Sequence, residues 1–385
     1  MKITDLKTAV VKGNFDWPII KVETDEGIEG YGEVRDGGSK ELALTLKPIL
    51  IGEDPLNINR VFNKIHGLGG PGRRGGGVSA VEIALWDIVG KVLDVPVYTL
   101  LGGRYRETVK IYCDCHAGKP IVDAGRDYQL DAVNYTPEAY AENAKCVRQL
   151  GFSILKFDVG LGVAGLVPYG VLSGSLTNGG LRYLISIVEA LREALREDIE
   201  LTLDCGMGTV SNAIRFSKAV EPYHVAWLED IIAFTDVEGF RKVTASTTTP
   251  TLTGEDIYLA EGFLELIENH AIRIAAPDLA TVGGIRETVR TAELAKLHGL
   301  RIASHFAGSP ISFMANLHAA SVMPNLIAVE FHAVGVPWWD SLVEGVGKPI
   351  IKNGVAEVPK GPGLGVVLNE KEIRKHLKEG ESYFE

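Results

Sequence analysis

From residue 109 onward, short apolar runs alternate with longer stretches in which apolar residues recur at helical spacing. The eight runs span residues 109–114, 153–158, 199–204, 224–229, 249–255, 271–278, 300–305 and 326–330. Apolar runs joined by crossover helices are typical of parallel strands that are buried on both faces. Eight of them predict an α/β fold with a closed, TIM-like (β/α)8-type barrel rather than an open sheet.

The first 108 residues follow a different pattern. Residues 3–12 and 18–34 alternate apolar and polar positions around a turn at Asp25–Gly27, which predicts antiparallel strands. Helical patterns follow at 40–50, 58–65 and 78–93, and the last is apolar nearly all round, as in a buried helix. We therefore expect an α+β domain at 1–108 and a barrel domain at 109–337. The hairpin-like segment at about 338–385 is expected to return and complete the first domain.

Composition narrows the class of protein. The chain has 385 residues, 46% of them apolar, and a net charge of −11, which argues against nucleic acid or an anionic membrane as a partner. Its four cysteines do not suggest a disulfide framework, and no apolar run is long enough to span a membrane. The N-terminal residues lack the apolar core of a secretion signal. These observations predict a cytoplasmic protein with reduced thiols.

Ionisable residues mark the ends of six successive apolar runs, 23 to 27 residues apart. They are Asp204, Glu229, Glu255, Asp278, His305 and Glu330. In a parallel barrel these strand ends converge on one mouth, where barrel enzymes keep their active sites. Five carboxylates crowded there repel one another unless a cation compensates. The first three have the oxygen ligands that suit Mg²⁺ or, as second choice, Mn²⁺.

The remaining strand-end residues suggest acid–base chemistry. A carboxylate such as Asp278 beside His305 fixes the imidazole tautomer and raises its basicity, which makes a general base. A protonated Glu330 could donate a hydrogen bond to a developing oxyanion. Lys156 is expected to act as a second acid–base group or as an electrostatic clamp, and a salt bridge to Asp158 would keep it charged. Taken alone, His305 is more typical of a core histidine at the end of a strand, and only its place in the series favours catalysis.

Over nearly its whole length the chain resembles the enolase superfamily, in particular its mandelate racemase/muconate lactonizing enzyme-like branch and the sugar-acid dehydratases within it. The resemblance is carried by DCGMG at 204–208, LED at 228–230, GED at 254–256, PDLATVGGI at 277–285, SH at 304–305 and VE at 329–330. It implies a modified (β/α)7β barrel with an α+β capping domain, and a homo-oligomer such as a dimer or an octamer.

The resemblance also assigns roles. Asp204, Glu229 and Glu255 would hold Mg²⁺, with Glu229 rather than Asp230 as the second ligand, and the Mg²⁺ would bind the carboxylate of a small anionic substrate. The Asp278–His305 dyad would remove the proton α to that carboxylate and give a metal-stabilised enediolate. Glu330 would be the electrophilic partner.

One departure from the family pattern bears on the reaction. Racemases of this branch carry Lys-x-Lys at the second strand, whereas this chain has Lys156, Phe157 and Asp158. The change weakens two-base racemisation and favours a Mg²⁺-dependent hydro-lyase that turns an aldonate-type sugar acid, galactonate- or gluconate-like, into a 2-keto-3-deoxy acid. His305 would then act first as base and afterwards as acid for the departing hydroxyl. Gly206 stands where some dehydratases have another histidine, so leaving-group assistance from that position is missing.

Two other readings stay open. One is a racemase, epimerase or cycloisomerase that uses the same enediolate chemistry on a carboxylate substrate. The other is a non-catalytic barrel that binds a small acid.

Substrate specificity is expected from the capping loops at 13–18 and 67–77. Trp17 and Arg73 are the candidates there for binding substrate, and Asp158 and His116 are the candidates on the barrel. The remaining histidines, His332 among them, are assigned no role.

Overall fold

The computed structural model describes residues 1–117 and 133–384. The chain begins with an antiparallel sheet of three strands, β1 (Ile3–Lys12), β2 (Asp16–Thr24) and β3 (Glu29–Glu33). Gly27 occupies the turn between β2 and β3 with φ +77°, a left-handed conformation that glycine adopts without steric cost. The antiparallel strands expected from the alternating pattern are therefore present.

Five helices follow the sheet. They are α1 (Glu41–Leu44), α2 (Lys47–Leu50), α3 (Ile58–Ile65), α4 (Gly76–Val92) and α5 (Val97–Leu100), with 3-10 turns at His66–Leu68 and Gly72–Gly75. The pattern at 40–50 forms two short helices instead of one. Helix α4 packs against β3 so closely that a Cβ atom at Gly30 or Gly32 would strike the carbonyl oxygens of Ala84 and Ala80. Strand β3 covers one side of α4, and β2 and neighbouring helices pack on its other sides, so the helix is buried nearly all round.

Eight parallel strands then close into a barrel, as the sequence predicts. They are β4 (Thr108–Asp114), β5 (Ile154–Asp158), β8 (Glu200–Asp204), β9 (Trp227–Glu229), β10 (Thr251–Thr253), β11 (Ile274–Ala275), β12 (Arg301–Ser304) and β13 (Leu326–Phe331). Each strand pairs with the next, and β13 pairs with β4 to complete the ring. A small hairpin, β6 (Val171–Leu172) and β7 (Ser175–Leu176), lies between β5 and β8.

Helices connect the barrel strands. They are α6 (Pro137–Arg148), α7 (Leu161–Ala164), α8 (Asn178–Leu195), α9 (Val210–Val220), α10 (Val237–Ser246), α11 (Leu264–Glu268), α12 (Leu279–Val282), α13 (Ile285–Leu297) and α14 (Pro310–Ser321), with 3-10 turns at Glu221–Tyr223 and Ala260–Phe263. Connections lie in all seven intervals between consecutive strands, in agreement with a (β/α)7β barrel. In the part of the chain that the structure describes, no helix has the length and apolar character needed to cross a membrane.

The last segment contacts both parts of the molecule. It contains a 3-10 turn at Trp339–Leu342, strands β14 (Val343–Glu344), β15 (Ile351–Lys352), β16 (Val355–Glu357) and β17 (Val367–Leu368), and helix α15 (Glu370–Lys375). Strand β16 pairs antiparallel with β4 of the barrel. The backbone N–H of Lys378 donates to Val10 of β1, so the end of the chain also reaches the first sheet. The domain boundary at residue 108 stays a prediction.

Two buried carboxylates join the first region to barrel helices. Glu33, at the end of β3, accepts a hydrogen bond from the backbone N–H of Ser309 at 2.8 Å, at the start of α14. Glu82 of α4 accepts from the N–H groups of Ile285 at 2.7 Å and Arg286 at 3.0 Å, at the start of α13. Both carboxylates therefore satisfy N–H groups that have no partner within their own helix. These contacts fix the first region over the mouth of the barrel.

Candidate active site

A cavity of about 260 Å³ opens at the carboxyl ends of the barrel strands. The first region contributes Phe15, Arg35, Asp36 and Arg73 to its wall, and the barrel contributes Asp114, His116, Lys156, Asp158, Asp204, Glu255, His305, Ala307 and His332. Most of these side chains are ionisable. The cavity therefore suits a small, strongly polar ligand.

Three of the predicted carboxylates lie at the ends of neighbouring strands. Asp204 ends β8 and is the register partner of Glu229, which ends β9. Glu255 follows β10 by two residues. Asp204 and Glu255 line the cavity, whereas Glu229 is 1% exposed.

The carboxylate environment fits a divalent cation. Burial raises the pKa of Asp204 well above its usual range; Lys156 opposes this rise, and the Glu229 carboxylate adds to it. A cation bound among these oxygens would offset the burial and the repulsion together. The donor set contains only carboxylate oxygens, which hard cations prefer.

His305, on the cavity wall, makes a short polar contact with Asp278 behind it. Their backbones form a parallel bridge, and Nδ1 of His305 lies 2.6 Å from Oδ2 of Asp278. Nε2 of His305 lies 3.2 Å from Oε2 of Glu255. Burial lowers the pKa of His305, but the carboxylates of Glu255 and Glu330 and the hydrogen bond to Asp278 outweigh it and raise the pKa to about 10. The predicted dyad is thus assembled with one imidazole nitrogen facing the candidate cation site.

Lys156 is a buried cation among three carboxylates. Its Nζ atom lies 2.7 Å from Glu330, 2.9 Å from Glu229 and 3.4 Å from Asp114. Burial alone lowers the pKa of this ammonium, and the carboxylates reverse the effect and raise it well above the usual value. Lys156 therefore holds its proton firmly, which favours an electrostatic role over that of a base. The expected salt bridge to Asp158 is wrong, because Asp158 pairs with His116 instead, at 3.1 Å.

Arg35 connects the first region to the barrel, and the sequence analysis did not predict this connection. Nη1 donates to the backbone oxygen of Glu255 at 2.7 Å, to Oδ1 of Asp256 at 2.9 Å and to Oγ1 of Thr281 at 2.8 Å. Nη2 donates to Oε1 of Glu255 at 3.1 Å. The guanidinium thus fixes the position of one of the three carboxylates.

His116 and His332 meet at the junction of β4 and β13. Their rings lie 4.1 Å apart, nearly perpendicular, and Nε2 of His116 is 3.4 Å from Nδ1 of His332. Nε2 of His332 lies 3.4 Å from Oδ2 of Asp114. His116 has φ +51°, a conformation that a non-glycine residue adopts only where the surroundings impose it. His332, to which we assigned no role, therefore belongs to the cavity wall.

Donor atoms of Asp114, His116 and His332 lie within 4.8 Å of one another, as in a metal site. Lys156 lies 3.4 Å from the Asp114 carboxylate and 2.9 Å from that of Glu229, so its charge weighs against a cation at either site. Asp204, Glu229 and Glu255 offer carboxylate oxygens alone, which a hard cation such as Mg²⁺ prefers to imidazole nitrogens, and they are therefore the better candidate for holding it.

Four of the residues that we predicted for the site do not line the cavity, namely Trp17, Glu229, Asp278 and Glu330. Trp17 is fully buried, packs over Gly13 and donates from its indole to the Ala307 carbonyl at 3.0 Å. From the same loop, Phe15 reaches the cavity instead. Glu330 is also fully buried; it accepts from the Tyr112 hydroxyl at 2.9 Å, and burial raises its pKa to about 7. Arg73 lines the cavity and donates to the Asp36 carbonyl at 2.9 Å.

Comparisons with known proteins cover most of the chain. The model for the mandelate racemase/muconate lactonizing enzyme N-terminal domain matches residues 8–102, and the model for the enolase C-terminal domain-like family matches residues 139–372. A D-xylonate dehydratase from Haloferax volcanii is 37% identical, over 100% of this chain and 91% of that protein. A D-gluconate dehydratase from Thermoproteus tenax is 28% identical, over 94% and 70%. The crystal structure of a mandelate racemase/muconate lactonizing enzyme-like protein from Rubrobacter xylanophilus superimposes with a TM-score of 0.90 at 29% identity, over 99% of both chains.

Proposed function

The chain belongs to the mandelate racemase/muconate lactonizing enzyme family of the enolase superfamily, and on this premise we propose that it is a Mg²⁺-dependent hydro-lyase that dehydrates a sugar acid to a 2-keto-3-deoxy acid. The family resemblance drawn from the sequence motifs is confirmed. The names of the two dehydratase relatives support both the reaction and the substrate class.

The observation that carries this proposal is the position of His305. Its Nε2 atom lies 3.2 Å from Glu255, a candidate cation ligand, while Asp278 holds Nδ1 at 2.6 Å. A carboxylate bound at the cation site would therefore present its α-carbon close to a fixed imidazole nitrogen. The Nδ1–H group of His305 donates a hydrogen bond to Asp278. The lone pair on Nε2 is then left to take a proton from the substrate, as in other oriented histidine bases.

A divalent cation held by Asp204, Glu229 and Glu255 would bind the substrate carboxylate and stabilise the second negative charge that forms when the α-proton leaves. Mg²⁺ is the proposed ion because the donor set is made of carboxylate oxygens alone. Neutralising Glu255 would also remove the largest of the contributions that keep His305 protonated.

The charges around the site favour a reaction with a base on only one face of the substrate. Lys156 faces three carboxylates at 3.4 Å or less and holds its proton, so it does not supply a second base on the opposite face of the substrate. Racemisation by two bases requires such a group. The positive charge of Lys156 instead offsets part of the carboxylate charge at the mouth of the barrel.

The cavity is consistent with an aldonate-type substrate. Its volume of about 260 Å³ suits a chain of five or six carbons, and its polar wall offers partners for hydroxyl groups. Arg73, which is half-exposed at the rim, is proposed to bind the distal hydroxyl groups. D-xylonate and D-gluconate, which the relatives' names mention, are the first substrates to test.

A substrate screen tests the proposal. Purified protein with Mg²⁺ is incubated with a panel of aldonates and aldarates, and 2-keto-3-deoxy acids are detected by semicarbazide absorbance and by NMR. We expect formation of a 2-keto-3-deoxy acid from at least one aldonate, and no formation after chelation of the metal. If the α-proton exchanges in D₂O and no substrate loses water, the reaction is a racemisation or epimerisation instead.

A further inference from the structure

His116 and His332 lie across the barrel mouth from the proposed cation site. In the closed ring of strands, β13 stands opposite β9 and β4 stands opposite β10. Glu229 and Glu255 come from β9 and β10, whereas His332 and His116 follow β13 and β4. A substrate whose carboxylate binds the cation therefore extends its carbon chain toward the two histidines.

The hydrogen bonds around His332 define its protonation. The Asn14 amide nitrogen lies 3.2 Å from Nδ1 of His332 and donates to the His332 carbonyl at 2.7 Å, so Nδ1 accepts. The Asn14 amide is fixed in this orientation, because its oxygen accepts from the Phe15 backbone N–H at 3.2 Å. Nε2 of His332 faces the Asp114 carboxylate at 3.4 Å and therefore carries the hydrogen. His332 is thus a neutral imidazole whose Nδ1 accepts from the Asn14 amide.

Two carboxylates favour the protonated form of His116. Nδ1 of His116 faces the Asp158 carboxylate at 3.1 Å and donates to it. The Asp114 carboxylate lies 3.8 Å from the same nitrogen, and two negative charges this close stabilise the imidazolium, in which Nε2 also carries a hydrogen. The electrostatics agree: burial lowers the pKa of His116, but Asp114 and Asp158 outweigh it and raise the pKa. The pKa of His332 is held well below its usual range by burial and by the positive charge of His116.

Dehydration needs an acid at the departing hydroxyl group, because hydroxide is a poor leaving group unless it is protonated as it departs. We propose that His116 is the acid that protonates the departing hydroxyl group, and that His332 and Asp158 position its imidazolium. This inference rests on the proposed dehydratase function. The sequence analysis gave His305 the roles of both base and acid, and here His305 is the base and His116 is the acid. His116 lines the cavity and is only 5% exposed, so a ligand in the cavity meets an imidazolium that is shielded from bulk water.

The step balances as follows. His305 takes the proton from carbon 2, and the electron pair of that C–H bond forms the double bond between carbons 2 and 3. The C–O bond at carbon 3 breaks, its electron pair stays on oxygen, and that oxygen takes the Nε2 proton of His116 and leaves as water. The resulting enol becomes the 2-keto-3-deoxy acid. His305 releases its proton to solvent and His116 regains one before the next turnover.

The His116→Asn variant tests the proposal. Asparagine tolerates the left-handed backbone at this position and cannot supply the proton. With the aldonate that the wild type dehydrates in the screen, we expect water loss to fall about 100-fold or more, while exchange of the carbon-2 proton in D₂O continues. Fluoride release from the 3-deoxy-3-fluoro analogue should stay close to wild type, because fluoride departs without an acid. His298→Asn, at an exposed helix end, is the matched control.

Three outcomes would overturn the assignment. If His116→Asn dehydrates at the wild-type rate, His116 is not the acid. If exchange, water loss and fluoride release fall equally, His116 only binds or orients the substrate. Nitrogen-15 NMR of histidine-labelled protein, with His116→Asn used for assignment, gives an answer that does not depend on activity: a neutral His116 at pH 7 contradicts the inference. If the wild type dehydrates none of the sugar acids, the proposed function is refuted instead. The NMR measurement still shows whether His116 is protonated.

Discussion

Nη2 of Arg35 lies 3.1 Å from Oε1 of Glu255, so a residue beyond the first sheet holds a candidate cation ligand at the barrel mouth. The same guanidinium binds the Glu255 backbone oxygen at 2.7 Å. Arg35 is 2% exposed, and burial, which lowers its pKa, is outweighed by Asp278, Glu255 and their neighbours. The first region therefore takes part in building the site and does not merely cover it.

Replacing Arg35 by lysine tests this contact. Lysine keeps the positive charge but lacks the planar fork that binds both the side chain and the backbone of Glu255. We expect Mg²⁺ affinity, measured by titration calorimetry, to fall about 10- to 100-fold, as is usual when a partner that orients a ligand is lost. Arg74→Ala, in the exposed loop nearby, is the control. Unchanged affinity in Arg35→Lys would show that Glu255 needs no such support.

Lys156 is expected to be essential for stability. Removal of its ammonium leaves Asp114, Glu229 and Glu330 buried without their shared cation. Breaking a buried ion pair in this way costs about 3–5 kcal/mol. Urea unfolding of Lys156→Met should show this loss in the free energy of unfolding, whereas Lys110→Met, at an exposed position, should leave it nearly unchanged. A loss as small as that of the control would mean that the carboxylates are already neutral in the folded protein.

His318 is expected to make the fold sensitive to mild acid. The ring is fully buried in α14, its Nδ1 accepts from the Tyr98 backbone N–H at 3.3 Å, and burial lowers its pKa to about 4. In the unfolded chain histidine titrates near pH 6.5, so between pH 6.5 and 4 the unfolded state binds a proton that the folded state does not. This contribution to stability is complete above pH 6.5 and is lost as the pH falls toward 4.

The measurement compares wild type with His318→Asn, whose amide oxygen can replace Nδ1 as acceptor. Between pH 7.5 and pH 5, the unfolding free energy of the wild type should fall by roughly 2 kcal/mol more than that of the variant. His298→Asn, at an exposed position, should follow the wild type. Parallel pH profiles for wild type and His318→Asn would rule out His318 as the source of the acid sensitivity.

Regular spacing made much of the fold predictable. Each barrel strand is an apolar run, and each run ends at or near an ionisable residue, so the order of residues along the chain was enough to assign Asp204, Glu229 and His305 to one mouth. Their local sequence and the barrel topology determine where they lie. The roles of these residues remain proposals.

The rest of the site depends on contacts that spacing does not encode. Arg35 reaches Glu255 across 220 residues, and His332 meets His116 across 216, so neither partner shows a local pattern. One feature of the sequence did point to His332. It follows Glu330 by two residues, and residues two apart on a strand face the same side. Trp17 was misplaced because an aromatic residue in a capping loop can either line a cavity or anchor the loop, and here its ring packs over Gly13.

The His305→Asn variant tests most directly whether His305 removes the α-proton. Carbon-2 proton exchange in D₂O and formation of 2-keto acid are measured by NMR for wild type and variant, with Mg²⁺ binding measured in parallel. Both rates are expected to fall by about 10²- to 10⁴-fold while Mg²⁺ still binds. Exchange at the wild-type rate in His305→Asn would contradict this role of His305 and assign the base to another residue.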